Sequence, residues 1–185
     1  MADGEARIRE LGQPGDLGWV VMAHGEIYAE EFGWNTEFEA LVLQIVAEFA
    51  RDEPAGPSAA WIAELDARRV GCVFCVADEA PGVAKLRILL VDPGARGQRL
   101  GQRLVATAVR FARDAGYERM RLWTNHPLAA ARRIYLEAGF ALVAEQEHHS
   151  FGVALTGQTY ELDLAPCAQP TGTERPAATT SRNQA

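Results

Sequence analysis

The sequence predicts an α/β domain of the α+β kind, a mixed sheet flanked by helices, and three observations predict it. Short apolar or alternating runs and longer runs with apolar residues three and four apart succeed one another, punctuated by glycine and proline. The β-rich run Val83 to Val91 breaks at Asp92-Pro93-Gly94 and resumes as an amphipathic helix whose first turn is expected to hold Arg96, Gly97 and Gly101. The chain has 185 residues, 48% of them hydrophobic, enough for one core and with no second domain required.

Ala6 to Leu11 reads as a first strand, closed by Gly12, Pro14 and Gly15. Asp16 can cap a helix running to about Phe32, with Leu17, Val20, Val21, Ile27 and Tyr28 on or near one face and His24 in the same stripe. A histidine there is more often a core or pocket-wall residue than a catalytic one. Thr36-Glu37-Phe38-Glu39 has capping-box spacing, and Phe38, Leu41, Val42, Ile45, Val46 and Phe49 follow at helical intervals. Arg51 to Ser58 is a polar loop, after which Ala60 to Leu65 and Val70 to Val76 make a hairpin around Asp66 to Arg69. Pro81 and Gly82 lead into the central strand, and Gly116 ends the helix after it. Arg119 to Thr124 alternates as a fifth strand. Pro127 suits a first helical position, and an alanine-rich helix continues to Ala138 before the Gly139 stop. Phe140 to Glu147 and Gly157 to Leu164 close the order as two strands joined through His148 to Thr156. From Ala165 the composition turns to Pro, Thr, Ala and Gly without periodicity, so the domain is expected over 1–164 and a disordered tail over 165–185.

A net charge of −7 argues against nucleic acid as the main partner, which would call for a basic face, and weakly favours a cationic ligand. No apolar run is long enough to span a bilayer and no leader pattern follows Met1, so a cytoplasmic protein without a membrane partner is expected. The three cysteines make no framework: Cys72 and Cys75 fall in a strand, where an offset of three residues turns side chains to opposite faces, and Cys167 lies in the tail. No metal site is expected.

A strand running into a glycine-bearing helix start makes an anion site, because unpaired N–H groups and about half a positive charge face the ligand. Arg96-Gly97-Gln98-Arg99-Leu100-Gly101 lacks the Gly-Lys-Ser/Thr ending of a Walker loop and the G-x-G-x-x-G spacing of a dinucleotide site. With the strand ending Val91-Asp92-Pro93, it resembles motif A of the GNAT acetyltransferases, (Q/R)-x-x-G-x-(G/A) after "Val-x-Pro", and the resemblance runs from about Ile8 to Leu164. It implies the GNAT acyl-CoA N-acyltransferase fold: a mostly antiparallel sheet, splayed between strands four and five. It implies acetyl-CoA as cofactor, with Leu89, Leu90 and Val91 along the pantetheine arm and Arg96, Gly97, Gln98, Arg99, Leu100, Gly101 and Gln102 around its pyrophosphate. Arg99 stands where the family has its central glycine. It could reach a phosphate or lie solvated on the outer helix face.

Ala131 to Phe140 matches the family's "A-x-x-x-Y-x-x-x-G-F", which implies Tyr135 as the acid that protonates the departing thiolate, against the plainer reading of a buried aromatic. Asn125 resembles a pantetheine-binding residue and could equally cap the next helix. Many members carry a glutamate where this chain has Lys85. The base therefore stays open among a water relayed to Glu31, Glu145, His24, His148 or His149, and Lys85 either binds an acidic group on the acceptor or is a plain strand-edge charge. Phe32-Gly33-Trp34 and His148-His149-Ser150-Phe151 fall where the family roofs its acceptor pocket, so Tyr28, Trp34, Lys85, His148 and His149 are the acceptor-site candidates, against ordinary loop packing. These segments also resemble acetyltransferase domains that elsewhere follow MarR-type regulators. The expected activity is an acetyl-CoA-dependent N-acetyltransferase acting on a small-molecule or peptide amine by direct attack. A catalytically silent acyl-CoA-binding regulatory module is the alternative, and a homodimer is left open.

Overall fold

The computed structural model describes residues 6–51 and 56–164; the expected tail with Cys167 lies outside them. Seven strands form one sheet in the order β1-β2-β3-β4-β5-β7-β6. They are β1 (Arg7–Glu10), β2 (Ala59–Leu65), β3 (Arg68–Ala77), β4 (Val83–Val91), β5 (Arg119–Asn125), β6 (Ala141–Ser150) and β7 (Val153–Asp163). Every pairing is antiparallel except β4 with β5. Helices α1 (Asp16–Phe32) and α2 (Thr36–Phe49) cover one face of β2 to β4, burying Val20, Val42 and Val46 against Ile62, Cys72 and Phe74. Helices α3 (Leu100–Asp114) and α4 (Ala129–Glu137) cover the other face, where Leu104, Val105 and Ala108 meet Val73, Cys75, Leu86 and Met120. Cys72 and Cys75 thus lie on opposite faces, and burial pushes the Cys75 thiol up to about 12.

The expected elements are present, and their ends differ for identifiable reasons. Gly15, at φ 87°, is the N-cap of α1. Asp16 sits inside the helix instead, accepting from the Gly12 and Gln13 amides and pairing with Arg9 at 2.8 Å and Arg69 at 2.7 Å. Those donors hold its carboxyl well below the usual range, and the network pins α1 to β1 and the start of β3. The capping box does not form, because Asn35 caps α2 through the Glu37 amide. The Glu37 carboxylate then reaches the Phe151 amide at 2.8 Å, tying the α1–α2 junction to the last hairpin. That hairpin turns on Phe151 and Gly152 alone, at φ 59° and 80°, so His148 to Ser150 and Val153 to Thr156 are strand residues and not a connection. Asp66 and Ala67, at φ 51° and 59°, make the β2–β3 turn in the same left-handed way.

Two corrections bear on the site. Arg96 and Gly97 are not in the first turn of α3, which begins at Leu100; a single 3-10 turn, Pro93–Ala95, and an irregular loop intervene. Pro127 is not the first residue of α4, because a turn closed by the Leu128 amide on the Asn125 carbonyl at 3.0 Å holds it ahead of the helix. Among the described residues, no helix is long and apolar enough to cross a membrane.

Candidate active site

Strand β4 builds the site by leaving its partner. It pairs with β5 only from Val83↔Arg119 to Leu86↔Leu122, although both strands continue. On its other edge the register slips from Phe74↔Arg87 to Cys72↔Leu90, three residues of β4 against two of β3. The bulge falls at Ile88, a β-branched residue at φ 42°, a conformation such side chains rarely adopt. Past the bulge, the Asp92 amide donates to Val70 on β3 at 2.8 Å. Alternation then turns the main-chain groups of Leu89 and Val91 away from β3, toward the gap, while Leu90 faces β3 and is buried.

Beside this gap lies a cavity of about 470 Å³, walled by Leu89, Leu90 and Val91, the loop before α3 and the start of α4. Gly97 has φ 86°, and a Cβ there would meet nothing within 4 Å. Arg99 is the N-cap of α3 at φ 57° and makes no side-chain cap. That is a left-handed backbone of the kind glycine adopts without strain. None of the amides from Gly97 to Gln102 donates to a protein acceptor among the described residues. All of these residues but Gln98 line the cavity, so unpartnered donors with the helix dipole behind them border a hollow that suits an anionic ligand. Gly101 lets α3 approach α4, since a Cβ there would fall 2.5 Å from Ile134 Cδ1. Arg96 crosses the mouth to Glu31 on α1 at 2.7 Å, and Gln102 reaches Glu137 at 3.4 Å; Gln98 does not line the cavity.

A second cavity, of about 340 Å³, adjoins the first across the shared walls Tyr28, Leu89, Leu128 and Ala131. Tyr135, 5% exposed, lines it, and burial pushes its hydroxyl well above the usual phenol range. Tyr28 and Trp34 line it too, within an aromatic cluster that includes Phe38 and Phe151. His24, 1% exposed, stacks on Tyr28; its Nδ1 lies 2.7 Å from the Val20 carbonyl and must carry the proton. Its buried Nε2 is therefore a lone pair with no partner among the described residues, and burial pushes the imidazole down to about 4. A larger hollow, about 740 Å³, lies between α1 and α2, lined by residues such as Met22 and Leu43 and containing none of the candidate residues.

A family model described as the Acetyltransferase (GNAT) family matches residues 21–140, more than half of the chain. The chain belongs to the GNAT acetyltransferase family. It is 28% identical over 155 residues to mycothiol acetyltransferase of Beutenbergia cavernae, covering 81% of this chain and 49% of that one. With N-acetyltransferase 8B of Homo sapiens it shares 32% over 93 residues, 48% of this chain and 41% of the relative. The chain spans about a third to a half of the length of such curated relatives. A solved structure of yncA from Salmonella typhimurium with its cofactor acetyl-CoA superposes at TM-score 0.69, covering 91% of this chain and 99% of that one at 18% identity. The GNAT fold, splayed after strand four, is thereby the fold of this chain.

The remaining candidates of this GNAT chain divide. Asn125 is buried, does not cap α4, and holds His148 Nε2 at 2.9 Å. His148 also meets Ser150 and packs against Trp123, so it touches two lining residues of the second cavity, Asn125 and Trp123, without lining it itself. His149, next along β6, is exposed on the opposite face and lines neither cavity. Glu145 is taken by Gln158, and Glu31 by Arg96. Lys85 lines the second cavity while pairing with Asp78 at 3.2 Å. Sequence reasoning missed Arg87, Ile88 and Trp123. Two of them were open to strand alternation, because Arg87 follows Lys85 and Trp123 precedes Asn125 by two positions.

Proposed function

We propose that this chain transfers an acetyl group from acetyl-CoA to a primary amine by direct attack. The observation that carries this reading is the row of unpartnered amides from Gly97 to Gln102, opening on a cavity that shares walls with the one lined by Tyr135. The open space at Gly97 and the free strand edge at Leu89 and Val91 fit a diphosphate with an extended thioester arm. Acetyl-CoA, when bound, supplies the activated acyl carbon and a thiol leaving group. In the balanced reaction the amine nitrogen bonds to that carbon, the carbon–sulfur bond breaks, and one proton passes from nitrogen to sulfur. The amides of 97–102 hold the diphosphate, and Leu89 and Val91 align the arm through their main chain.

Tyr135, kept protonated by its burial, donates a hydrogen bond to the sulfur. A phenol raised in this way is a weaker acid than a thiol, so the hydrogen bond rather than complete proton transfer provides the stabilisation. His24 Nε2 accepts an N–H of the incoming amine. Since His24 gains a proton only near pH 4, it positions the amine and does not deprotonate it. The amine must arrive neutral, having lost its proton to water.

The test is release of CoA thiol by the purified chain with acetyl-CoA and a panel of amines. Tyr135→Phe is expected to lower kcat about 10²–10³-fold with the Kd for acetyl-CoA unchanged. The log of kcat/KM should climb with a slope near one toward the acceptor's own pKa. No thiol release with any amine would favour the silent acyl-CoA-binding module instead.

A further inference from the structure

The acceptor cavity carries charge that the reaction as described does not use. On the face of β4 and β5 turned toward it, alternation and register align Lys85, Arg87, Arg119 and Arg121. Asp78 pairs with Lys85 at 3.2 Å, and Glu161 pairs with Arg121 at 2.6 Å and Arg119 at 3.8 Å. Arg87 is different: it lines the cavity, half-buried, with no hydrogen bond or ion pair among the described residues. Glu48 on α2 and Asp78 attract it without pairing. Four cations thus face three acids in a chain whose net charge is −7, and the unmatched one is already partly desolvated. A guanidinium removed from water without a partner is costly, and a bound anion offsets that cost with charge-assisted, bidentate hydrogen bonds. The Arg96–Gln102 loop lines the other cavity, so the anion at Arg87 is not the cofactor's diphosphate.

We propose that the acceptor is a small primary amine that also carries an anionic group, a carboxylate or a phosphonate, and that Arg87 binds that group while His24 receives the amine. This rests on the acetyl-transfer reading and names its substrate class. The test compares matched amines with the full chain and acetyl-CoA: amino acids against their amides, and ω-amino carboxylates and aminoalkylphosphonates against plain alkylamines. Anionic amines should exceed their neutral partners at least tenfold in kcat/KM. Arg87→Gln should lower the anionic set about 10–100-fold, down to the neutral level, and Arg87→Lys should keep part of the preference. The preferred arm, carboxylate or phosphonate, identifies the source of the anion. An unchanged unfolding midpoint shows that Arg87→Gln still folds, and Arg113→Gln, on the exposed side of α3, is the charge control. Equal or better use of neutral amines by the native chain, or an equal loss on both sets in Arg87→Gln, overturns the proposal. If no amine is acetylated, calorimetric titration of the chain with CoA decides. Anionic amines bound by the native chain and not by Arg87→Gln support the recognition while the transfer reading fails, and no binding overturns both.

Discussion

The two cavities that meet beside β4 are made of different material. The first draws its unpartnered donors from one contiguous stretch of backbone, Gly97 to Gln102, beside a strand edge, with α1 and the start of α4 as its further walls. The second is formed by side chains from five elements, running from His24 on α1 to Tyr135 on α4. A backbone site depends on chain conformation and tolerates an arginine where a glycine is usual, provided the φ angle is kept. A side-chain site depends on which residues the tertiary fold brings face to face, and each of them brings its own ionisation. The two halves of the site should therefore fail under different insults.

Acid should break the second cavity first. The unfolded chain protonates His24 below about 6.5, the folded chain only below about 4. Within that window the unfolded state binds the extra proton, so stability falls as pH falls and levels off below about 4. The full loss is about 3 kcal/mol, since each tenfold difference in proton affinity between the two states is worth about 1.4 kcal/mol. Chemical denaturation across pH 7 to 4 checks it, and His24→Phe should flatten the curve; a slope that survives the substitution refutes the assignment. Asp16 acts in a lower window, because its depressed carboxyl gives stability that is present above its ordinary value of 3.8 and lost as pH falls below it.

The first cavity should instead break by crowding. Gly101→Val puts a Cβ 2.5 Å from Ile134 Cδ1, so the end of that side chain must move, and forcing extra volume into a packed contact costs about 1–3 kcal/mol. The Kd for acetyl-CoA should weaken about tenfold or more while the KM of the amine stays put. A shift confined to the amine would mean that the α3–α4 contact does not set the cleft.

The same contrast explains what was legible in the sequence. Hydrophobic period, glycine punctuation and the 96–101 spacing depend on neighbours in the chain; the first two located every strand and α-helix among the described residues, and the third singled out the candidate anion cradle. Tyr135 was reached only through a motif. Element ends were misread where distant partners compete with local ones: Asn35 took the cap that Thr36 was expected to supply, and Asp16 spent its carboxylate on Arg9 and Arg69. The bulge at Ile88 left no mark in composition, because a β-branched residue at positive φ is what sequence rules predict against. His148 and His149 read as one polar pair until strand alternation sent them to opposite faces. Net charge says nothing of where charge lies: the chain is acidic as a whole, yet β4 and β5 align Lys85, Arg87, Arg119 and Arg121 on one face.

The smallest effect sharpens the contrast furthest. Arg99 holds a left-handed conformation at φ 57°, which costs a non-glycine residue about 1–2 kcal/mol. Arg99→Gly relieves that strain but gives the unfolded chain back about 0.4–1 kcal/mol of entropy. The expected net gain in stability is therefore about 0–1.6 kcal/mol, visible as a small rise in the urea midpoint at constant slope. The Kd for acetyl-CoA then separates the two roles left open for the guanidinium. If the amides alone grip the diphosphate, affinity holds or improves. If the side chain reaches a phosphate, a charge-assisted bond is lost and affinity drops about tenfold or more, increasingly so at low salt. The second result would mean that the cradle, too, is partly a side-chain site, and the division between the two cavities would then follow distance along the chain rather than backbone against side chain.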